Sequence, residues 1–149
     1  MTRVLVLNGP NLGGLGTREP EVYGGATLAE IEALVRQRAE RYGMVVRFEQ
    51  SNHEGRIIDI LEEERALADG CILNGGALTH TSIALHDAVR GFAKPVVEVH
   101  ISNIHAREPY RHTSLTAAAA RGIIAGLGPH GYLLAVDALA RILAPTATE

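Results

Sequence analysis

A long glycine-rich segment near the amino terminus carries residues that could do acid–base chemistry. It reads GPNLGGLGTREPEVYGG over residues 9–25 and includes Arg18 and Tyr23. A tyrosine can act as a general base when nearby guanidinium groups stabilise its phenolate, and Arg18 and Arg107 are the candidate neighbours. A loop tyrosine taken alone is more often a packing residue, so both interpretations stay open at this point.

The length of this segment favours a functional role. Connections between elements have a median length of roughly 4–6 residues, and this one has about 17. Its glycines would let the loop move, and its charged residues could complete a site when it closes. We therefore predict that residues 9–25 form a lid over an active site.

Glu98 and His100 are a second candidate pair. They stand two residues apart in the apolar run PVVEVH, and alternate residues of a strand share one face. A carboxylate in that position could orient the imidazole and fix its tautomer, which would make His100 a general acid. The pair alone is equally compatible with a histidine that is solvated at the strand end.

Other polar residues follow the ends of the predicted strands. In chain order they are Asn8, Asn11, Asn74, Thr79, His80, Ser102, Asn103, His105, Arg107, Tyr110, Arg111 and His112. The carboxyl ends of parallel strands meet at one edge of a sheet, and α/β proteins bind their ligands there. This clustering predicts an active site at that edge.

Apolar runs alternate with helical patterns along the chain. The predicted strands are Arg3–Asn8, Met44–Gln50, Gly70–Asn74, Pro95–His100 and Gly122–Ala125. The predicted helices are Thr27–Tyr42, Gly55–Leu67, Thr81–Phe92 and Tyr132–Leu143. This alternation predicts an α/β fold, a flavodoxin-like, doubly wound, five-stranded parallel sheet in three α/β/α layers. A single domain is expected over residues 1–149.

The composition is that of a folded globular chain. Of 149 residues, 46% are hydrophobic and 21% are charged, and the net charge is -3. No basic cluster predicts nucleic-acid binding, and no apolar run reaches the roughly 20 residues of a membrane span. The single Cys71 fits a reducing compartment, and the scattered histidines match no metal motif. We expect a cytoplasmic protein that binds no metal, nucleic acid or membrane.

Three long motifs stand in order along the chain: LNGPNLGGLGTREPEVYG, NGGALTHTSIALHDA and VEVHISNIHAREPYRHTS. They resemble one enzyme family, the type II 3-dehydroquinate dehydratases, and GIIAGLGPHGYLLAVDAL is similar to the family's closing unit. The resemblance covers essentially the whole chain. The sequence departs from the family's usual pattern at Gly13 and Gly14, where asparagine and leucine are common, and at Gly75, where proline or alanine is common.

The resemblance implies a hydro-lyase that removes water from 3-dehydroquinate by trans elimination through an enolate and needs no cofactor. The product would be 3-dehydroshikimate, in the shikimate pathway to chorismate and aromatic amino acids or in quinate breakdown. The implied catalytic residues are Tyr23, His100, Arg18, Asn11 and Glu98. The implied substrate-binding residues are Asn74, His80, Asp87, Ile101, Ser102, Arg111 and Arg107.

The resemblance also implies roles for these residues. Tyr23 would be the base and Arg18 would stabilise its ionised form, while Asn11 would contact the enolate region. His100 would protonate the leaving hydroxyl, with Glu98 orienting it. The resemblance also implies a homo-oligomer, a dodecamer of four trimers, in which Asp87 would reach the site of a neighbouring subunit.

Three other interpretations are weaker. A signalling receiver domain has a Lys-Pro pair, as Lys94 and Pro95 provide, but needs acidic residues where this chain has Asn8 and Asn74. A flavin-binding electron carrier usually stacks aromatic rings on the flavin, and this chain has 4% aromatic residues. The type I dehydratases use a Schiff-base lysine, but Lys94, the only lysine, precedes a strand at the wrong edge of the sheet.

Overall fold

The computed structural model describes residues 1–145 and contains one five-stranded parallel sheet. The strands are β1 (Arg3–Asn8), β2 (Val45–Gln50), β3 (Gly70–Asn74), β4 (Val96–His100) and β5 (Gly122–Ala125). The helices are α1 (Pro20–Tyr23), α2 (Leu28–Glu40), α3 (Glu54–Glu64), α4 (Leu78–Thr81), α5 (Ile83–Phe92) and α6 (His130–Leu143). The strand order β2-β1-β3-β4-β5 is the flavodoxin-like one, so the predicted fold class is confirmed.

Apolar side chains fill the space on both faces of the sheet. Along β1, Val4 and Val6 pack with residues of α2 and α6, whereas Leu5 and Leu7 pack with residues of α3 and α5. Successive residues of a strand point to opposite faces, so a continuous apolar run buries against two helical layers. These three layers hold the ends of β1, β3 and β4 side by side.

Capping residues set the helix boundaries. Thr27 and Glu30 have the T-x-x-E spacing that is typical of a helix start, and the Thr27 hydroxyl accepts a hydrogen bond from the Glu30 amide at 3.1 Å. The helix predicted to begin at Thr81 begins instead at Ile83, because the Ser82 hydroxyl accepts from the amide of Leu85 at 2.8 Å. The residues before this cap form the separate turn α4, which follows β3 directly.

The segment predicted as a lid contains local structure. A 3-10 turn covers Leu12–Gly14, and α1 begins at Pro20, whose fixed backbone angle suits the first turn of a helix. Leu12, Leu15 and Tyr23 are buried in the core layer beneath α2 and α6. The segment is therefore anchored to the core by apolar side chains, and its charged residues lie between these anchors.

All five strands found in residues 1–145 belong to this one sheet. The single domain expected over residues 1–149 also includes residues 146–149, which lie outside the described range. Within residues 1–145, no helix is both long and apolar enough to cross a membrane.

Candidate active site

A cavity of about 150 Å³ opens at the carboxyl edge of the sheet, beyond β1, β3 and β4. Ten of the twelve predicted site residues line it: Asn11, Arg18, Tyr23, Asn74, His80, His100, Ile101, Ser102, Arg107 and Arg111. Five further residues line it that were not predicted as site residues: Pro10, Leu12, Gly76, Ala77 and Ile104. Pro10 and Leu12 of these belong to the segment predicted as the lid. A small cavity with converging polar groups is the feature expected of an active site.

Tyr23 lies close to two guanidinium groups. The Cζ atom of Arg18 is 4.7 Å from the centre of the tyrosine ring, and that of Arg107 is 5.2 Å from it. Arg107 Nη1 also donates a hydrogen bond to the Tyr23 hydroxyl at 2.9 Å. The tyrosine is only 8% exposed, so the two cations act on it with little screening by water. This arrangement places one guanidinium donor on the phenolic oxygen and a second guanidinium group beside the ring.

His100 and Glu98 form a buried pair on β4. His100 Nε2 lies 2.8 Å from Glu98 Oε2, and the carboxylate is fully buried. Burial by itself would raise the pKa of Glu98, but hydrogen bonds from His100 and Thr116 outweigh it and hold the pKa below the ordinary value. The carboxylate is therefore ionised, so Nε2 carries the proton that it donates.

Two hydroxyl groups hold Glu98 from its other side. Ser114 Oγ donates to Glu98 Oε2 at 2.7 Å, and Thr116 Oγ1 donates to Oε1. Glu98 itself does not line the cavity, because His100 stands between the carboxylate and the open space. Sequence reasoning missed both hydroxyl residues, although the motif RHTSLT places two polar residues at the needed spacing.

His80 comes from α4 and stacks near His100, with 6.2 Å between the ring centres. Its Nδ1 lies 2.8 Å from the Thr113 carbonyl oxygen, which can only accept, so Nδ1 carries a proton. Burial lowers the pKa of His80 and favours the neutral ring. The neutral ring leaves Nε2 as a hydrogen-bond acceptor for a bound hydroxyl group.

Arg111 is oriented by its neighbour Glu108. Arg111 Nε donates to Glu108 Oε2 at 2.7 Å, and hydrogen bonds from Tyr110 and Arg111 lower the pKa of Glu108 to about 2. The ion pair leaves the rest of the guanidinium group at the cavity wall.

Asn11 has a left-handed backbone conformation, with a φ of 69°. The backbone amide of Asn11 donates a hydrogen bond to the side-chain oxygen Oδ1 of Asn52 at 2.9 Å. Gln50 Nε2 donates to the same Asn52 atom and to the carbonyl of Gly9, each at 3.1 Å. The end of β2 thus holds the start of the lid, a contact that sequence reasoning missed because these residues lie some forty positions apart.

Asp87 is the predicted site residue that lies elsewhere in its own chain. It is on α5, its side chain is 71% exposed, and its carboxylate pairs with His86 at 3.1 Å. It does not line the cavity described here.

Gly75 lies at the start of the turn that lines the cavity, and its lack of a side chain leaves room for Thr79. A Cβ atom at this position would lie 2.9 Å from Thr79 Oγ1, which is closer than side chains pack. At Gly13, a Cβ atom would lie 3.0 Å from Gln50 Oε1. A larger residue at either position would require the polar side chain beside it to move.

Lys94 lies at the amino end of β4, away from the cavity. Its ammonium group donates to the carbonyl of Arg65 at 2.6 Å and to that of Ala68 at 2.5 Å. Imine chemistry at this lysine therefore has no place in the site. In the part of the chain described, no group of three or more His, Cys, Asp or Glu is positioned to hold a metal ion.

A flavodoxin-like sheet that carries a tyrosine beside two arginines and a buried Glu–His pair at its carboxyl edge defines a class of α/β protein with the groups for acid–base catalysis. The chain belongs to the class II dehydroquinases, because the model of the family "Dehydroquinase class II" matches residues 2–140. The resemblance seen in the three motifs is thereby confirmed, and so is the assignment to the hydro-lyases.

Relatives support this family over nearly the full chain. The chain is 57% identical to "3-dehydroquinate dehydratase 2" of Ralstonia nicotianae, over 97% of each chain. It is 59% identical to a 3-dehydroquinate dehydratase of Chelativorans sp., over 92% of this chain and 95% of the other. The receiver and flavin interpretations are excluded by this family membership.

Solved structures agree. The type II dehydroquinase of Butyrivibrio crossotus superposes with a TM-score of 0.91 at 40% identity, over 93% of this chain and 97% of that one. The type II dehydroquinase of Propionibacterium acnes gives the same TM-score and identity, over 95% of this chain and 97% of that one.

Proposed function

We propose that this protein dehydrates 3-dehydroquinate to 3-dehydroshikimate, using its own side chains as base and acid and no cofactor. One observation carries the proposal. Tyr23, stabilised by two guanidinium groups, and His100, backed by the Glu98 carboxylate, border the same small cavity. The names of its relatives support 3-dehydroquinate as the substrate. This dehydration is a step of the shikimate pathway, and the same reaction would serve quinate breakdown.

The first step is the removal of a proton. Tyr23, as the phenolate, takes a proton from the carbon between the ketone and the carbon that bears the hydroxyl and carboxylate groups. The C–H electron pair moves into the ring and places negative charge on the ketone oxygen, which gives an enolate. Arg18 stabilises the phenolate and this charge, and Asn11 contacts the enolate region.

The second step is the loss of the hydroxyl group. The enolate electrons return to form the new carbon–carbon double bond, and the C–O bond breaks. His100 gives its proton to the departing oxygen, so water leaves rather than hydroxide. Glu98 supports this step, because an ionised carboxylate favours the imidazolium form from which the proton is given.

The remaining polar groups hold the substrate. His80 Nε2, Asn74 and Arg111 contact its hydroxyl groups, and the backbone at Ile101 and Ser102 binds its carboxylate. Arg107 is a second cation beside Tyr23. These roles agree with the polar lining of the cavity and keep the scissile bonds between the acid and the base.

The working protein is proposed to be a single-domain chain in a cytoplasmic homo-oligomer, a dodecamer of four trimers. The exposed position of Asp87 supports this assembly, because a carboxylate at the surface and outside its own cavity can reach a neighbour's site. Light scattering of the purified protein tests it: a mass near that of a single chain would contradict the proposal.

The proposed activity is tested by adding purified protein to 3-dehydroquinate and following the ultraviolet absorbance of the conjugated enone product. The absorbance is expected to rise, and the rate is expected to survive both a chelator and borohydride pretreatment with substrate. A flat trace from folded protein would refute the substrate. Loss of activity with chelator or borohydride would refute the cofactor-free mechanism.

A further inference from the structure

Tyr132 of α6 is a buried phenol with two polar partners at the ends of neighbouring strands. Its hydroxyl donates to Asn8 Oδ1 at 2.7 Å and accepts from Asn74 Nδ2 at 2.9 Å. All three side chains are at most 3% exposed. Only Asn74 of the three lines the cavity, so the other two lie behind the site.

The chemistry of the partners fixes the direction of every hydrogen bond. Asn8 Nδ2 donates to the Glu49 carbonyl at 3.1 Å, which turns its Oδ1 toward the phenol. The single phenolic hydrogen goes to that oxygen, so the phenol can only accept from Asn74. Burial raises the pKa of Tyr132, so the phenol keeps its hydrogen.

The same logic fixes the carboxamide of Asn74. Its Nδ2 faces Tyr132, and its Oδ1 accepts from the Gly76 amide at 3.2 Å. One amide hydrogen and one oxygen lone pair remain for a ligand in the cavity. If the carboxamide rotated by half a turn, an N–H would oppose the Gly76 amide, and the oxygen would oppose a phenol that has no hydrogen left to give.

We propose that Tyr132 is a positioning residue that locks the Asn74 carboxamide and so sets the hydrogen bonds offered to a substrate hydroxyl. This proposal rests on the proposed function for its substrate. Tyr132 does not line the cavity, and its hydroxyl is hydrogen-bonded to Asn8 and Asn74 rather than to Tyr23 or His100. It acts through Asn74 alone, and its loss therefore weakens substrate binding more than the chemical steps.

The test is a double-mutant cycle with Tyr132→Phe and Asn74→Ala, which separates positioning from packing. Tyr132→Phe is expected to raise KM about tenfold, as for one lost hydrogen bond, with kcat changed less than about threefold. In the Asn74→Ala background, the same substitution is expected to change KM by less than about twofold.

Val136→Ala is the matched control, because Val136 is also buried on α6, one turn farther along. It is expected to lower the melting temperature and to leave KM unchanged. An equal KM effect of Tyr132→Phe with and without Asn74, or a KM within twofold of wild type, would overturn the proposal.

Asn8→Ala is the second variant, in case Tyr132→Phe does not fold. It frees the phenolic hydrogen to turn toward Asn74, and KM is expected to rise with kcat nearly unchanged. An unchanged KM in a folded Asn8→Ala protein would overturn the proposal.

Failure of the proposed function is distinguishable, because wild-type protein would then not convert 3-dehydroquinate at all. In that case, the restraint that Tyr132 places on the Asn74 carboxamide is measured by NMR of the Asn74 side-chain amide, in protein labelled with ¹⁵N-asparagine. Its hydrogen exchange is expected to be slow in wild type and faster in Tyr132→Phe. Equal exchange rates in the two proteins would overturn the proposal that Tyr132 positions Asn74.

Discussion

At the scale of single residues, Tyr23 is central, because its phenolic oxygen and its ring both contact cations. Arg107 donates to the oxygen, and both Arg18 and Arg107 lie over the ring. Cation–π contacts of this kind contribute roughly 0.5–2 kcal/mol each, more where water is excluded. In the proposed mechanism, the same two cations stabilise the phenolate of Tyr23.

Tyr23→Phe is predicted to remove the base and leave the packing of the ring intact. Turnover of 3-dehydroquinate should fall about 10³-fold, within the range expected for loss of a positioned base. Tyr42→Phe is the matched control, because Tyr42 pairs with Asp137 and does not line the cavity. Steady-state rates that stay within about fivefold of wild type in Tyr23→Phe would contradict the assigned role.

Glu98→Gln is predicted to alter the pH dependence of the reaction as well as its rate. The lowered pKa of Glu98 keeps its carboxylate ionised, so a negative charge faces the imidazole of His100 at neutral pH. Without it, kcat should fall about 10²-fold. The alkaline limb of the pH–rate profile should move to lower pH, because His100 then loses its proton more easily.

Glu49→Gln on β2 is the control for this profile, since that carboxylate pairs with Arg47 and does not line the cavity. An alkaline limb that stays in place in Glu98→Gln would show that Glu98 does not act through the protonation of His100.

At the scale of elements, the lid depends on how its two ends are fixed. One end is held by the side chains of Gln50 and Asn52, and the other passes into α1 and the capped start of α2. Gly16 lies between them with a φ of 95°, and a Cβ atom there would come within 2.9 Å of Thr27 Cγ2.

Gly16→Ala is predicted to displace the lid, because both the positive φ and the contact with Thr27 oppose a side chain. The value of kcat/KM should fall about tenfold or more, as expected when positioned groups move out of reach. Gly25→Ala, in the same segment but facing open space, should stay within about threefold. Equal kinetics for the two variants would contradict the lid assignment.

The elements that could be predicted from the sequence are those that local patterns determine. Short apolar runs gave the five strands, and the Thr27–Glu30 pattern gave the start of α2. The start of α5 was predicted two residues early, because the Ser82 cap and the turn α4 depend on how the chain leaves β3. The helical turns inside the lid were not foreseen, since buried Leu12 and Leu15 hold them in place through tertiary contacts.

The site was predictable to the extent that parallel topology brings strand ends together. That rule placed Asn74 and His100 at one edge without knowledge of any distance. It could not find Asn52 or Tyr132, because their contacts join distant segments and their residue types are ordinary for a turn and a helix. The position of Asp87 outside the cavity also follows only from three-dimensional placement.

At the scale of the whole molecule, a buried ion network joins the sheet to α3. Glu64 is fully buried, and its carboxylate binds Arg3 at 2.6 Å and Arg47 at 3.0 Å. The hydrogen bond from Arg3 holds the pKa of Glu64 below the ordinary value against the opposing effect of burial. The stability that it contributes is therefore present above the ordinary glutamate pKa and is lost as the pH falls through the lowered one.

Glu64→Gln is predicted to lower the free energy of unfolding at pH 7 by about 1–3 kcal/mol, somewhat below the cost for fully buried pairs because Arg3 is partly exposed. The difference from wild type should shrink at a pH below the lowered pKa of Glu64, where the wild-type carboxylate takes up its proton. Urea unfolding at both pH values measures this. Glu63→Gln, an exposed neighbour, should change little, and a wild-type advantage independent of pH would contradict the account.

The division of labour between base and acid is tested most directly by hydrogen exchange of 3-dehydroquinate in D₂O, followed by NMR with His100→Ala and Tyr23→Phe. His100→Ala retains the base, so it should exchange the substrate proton next to the ketone above the buffer rate while forming almost no product. Tyr23→Phe should do neither. Exchange as fast in Tyr23→Phe as in His100→Ala would contradict the account, because the proton would then be removed by another group.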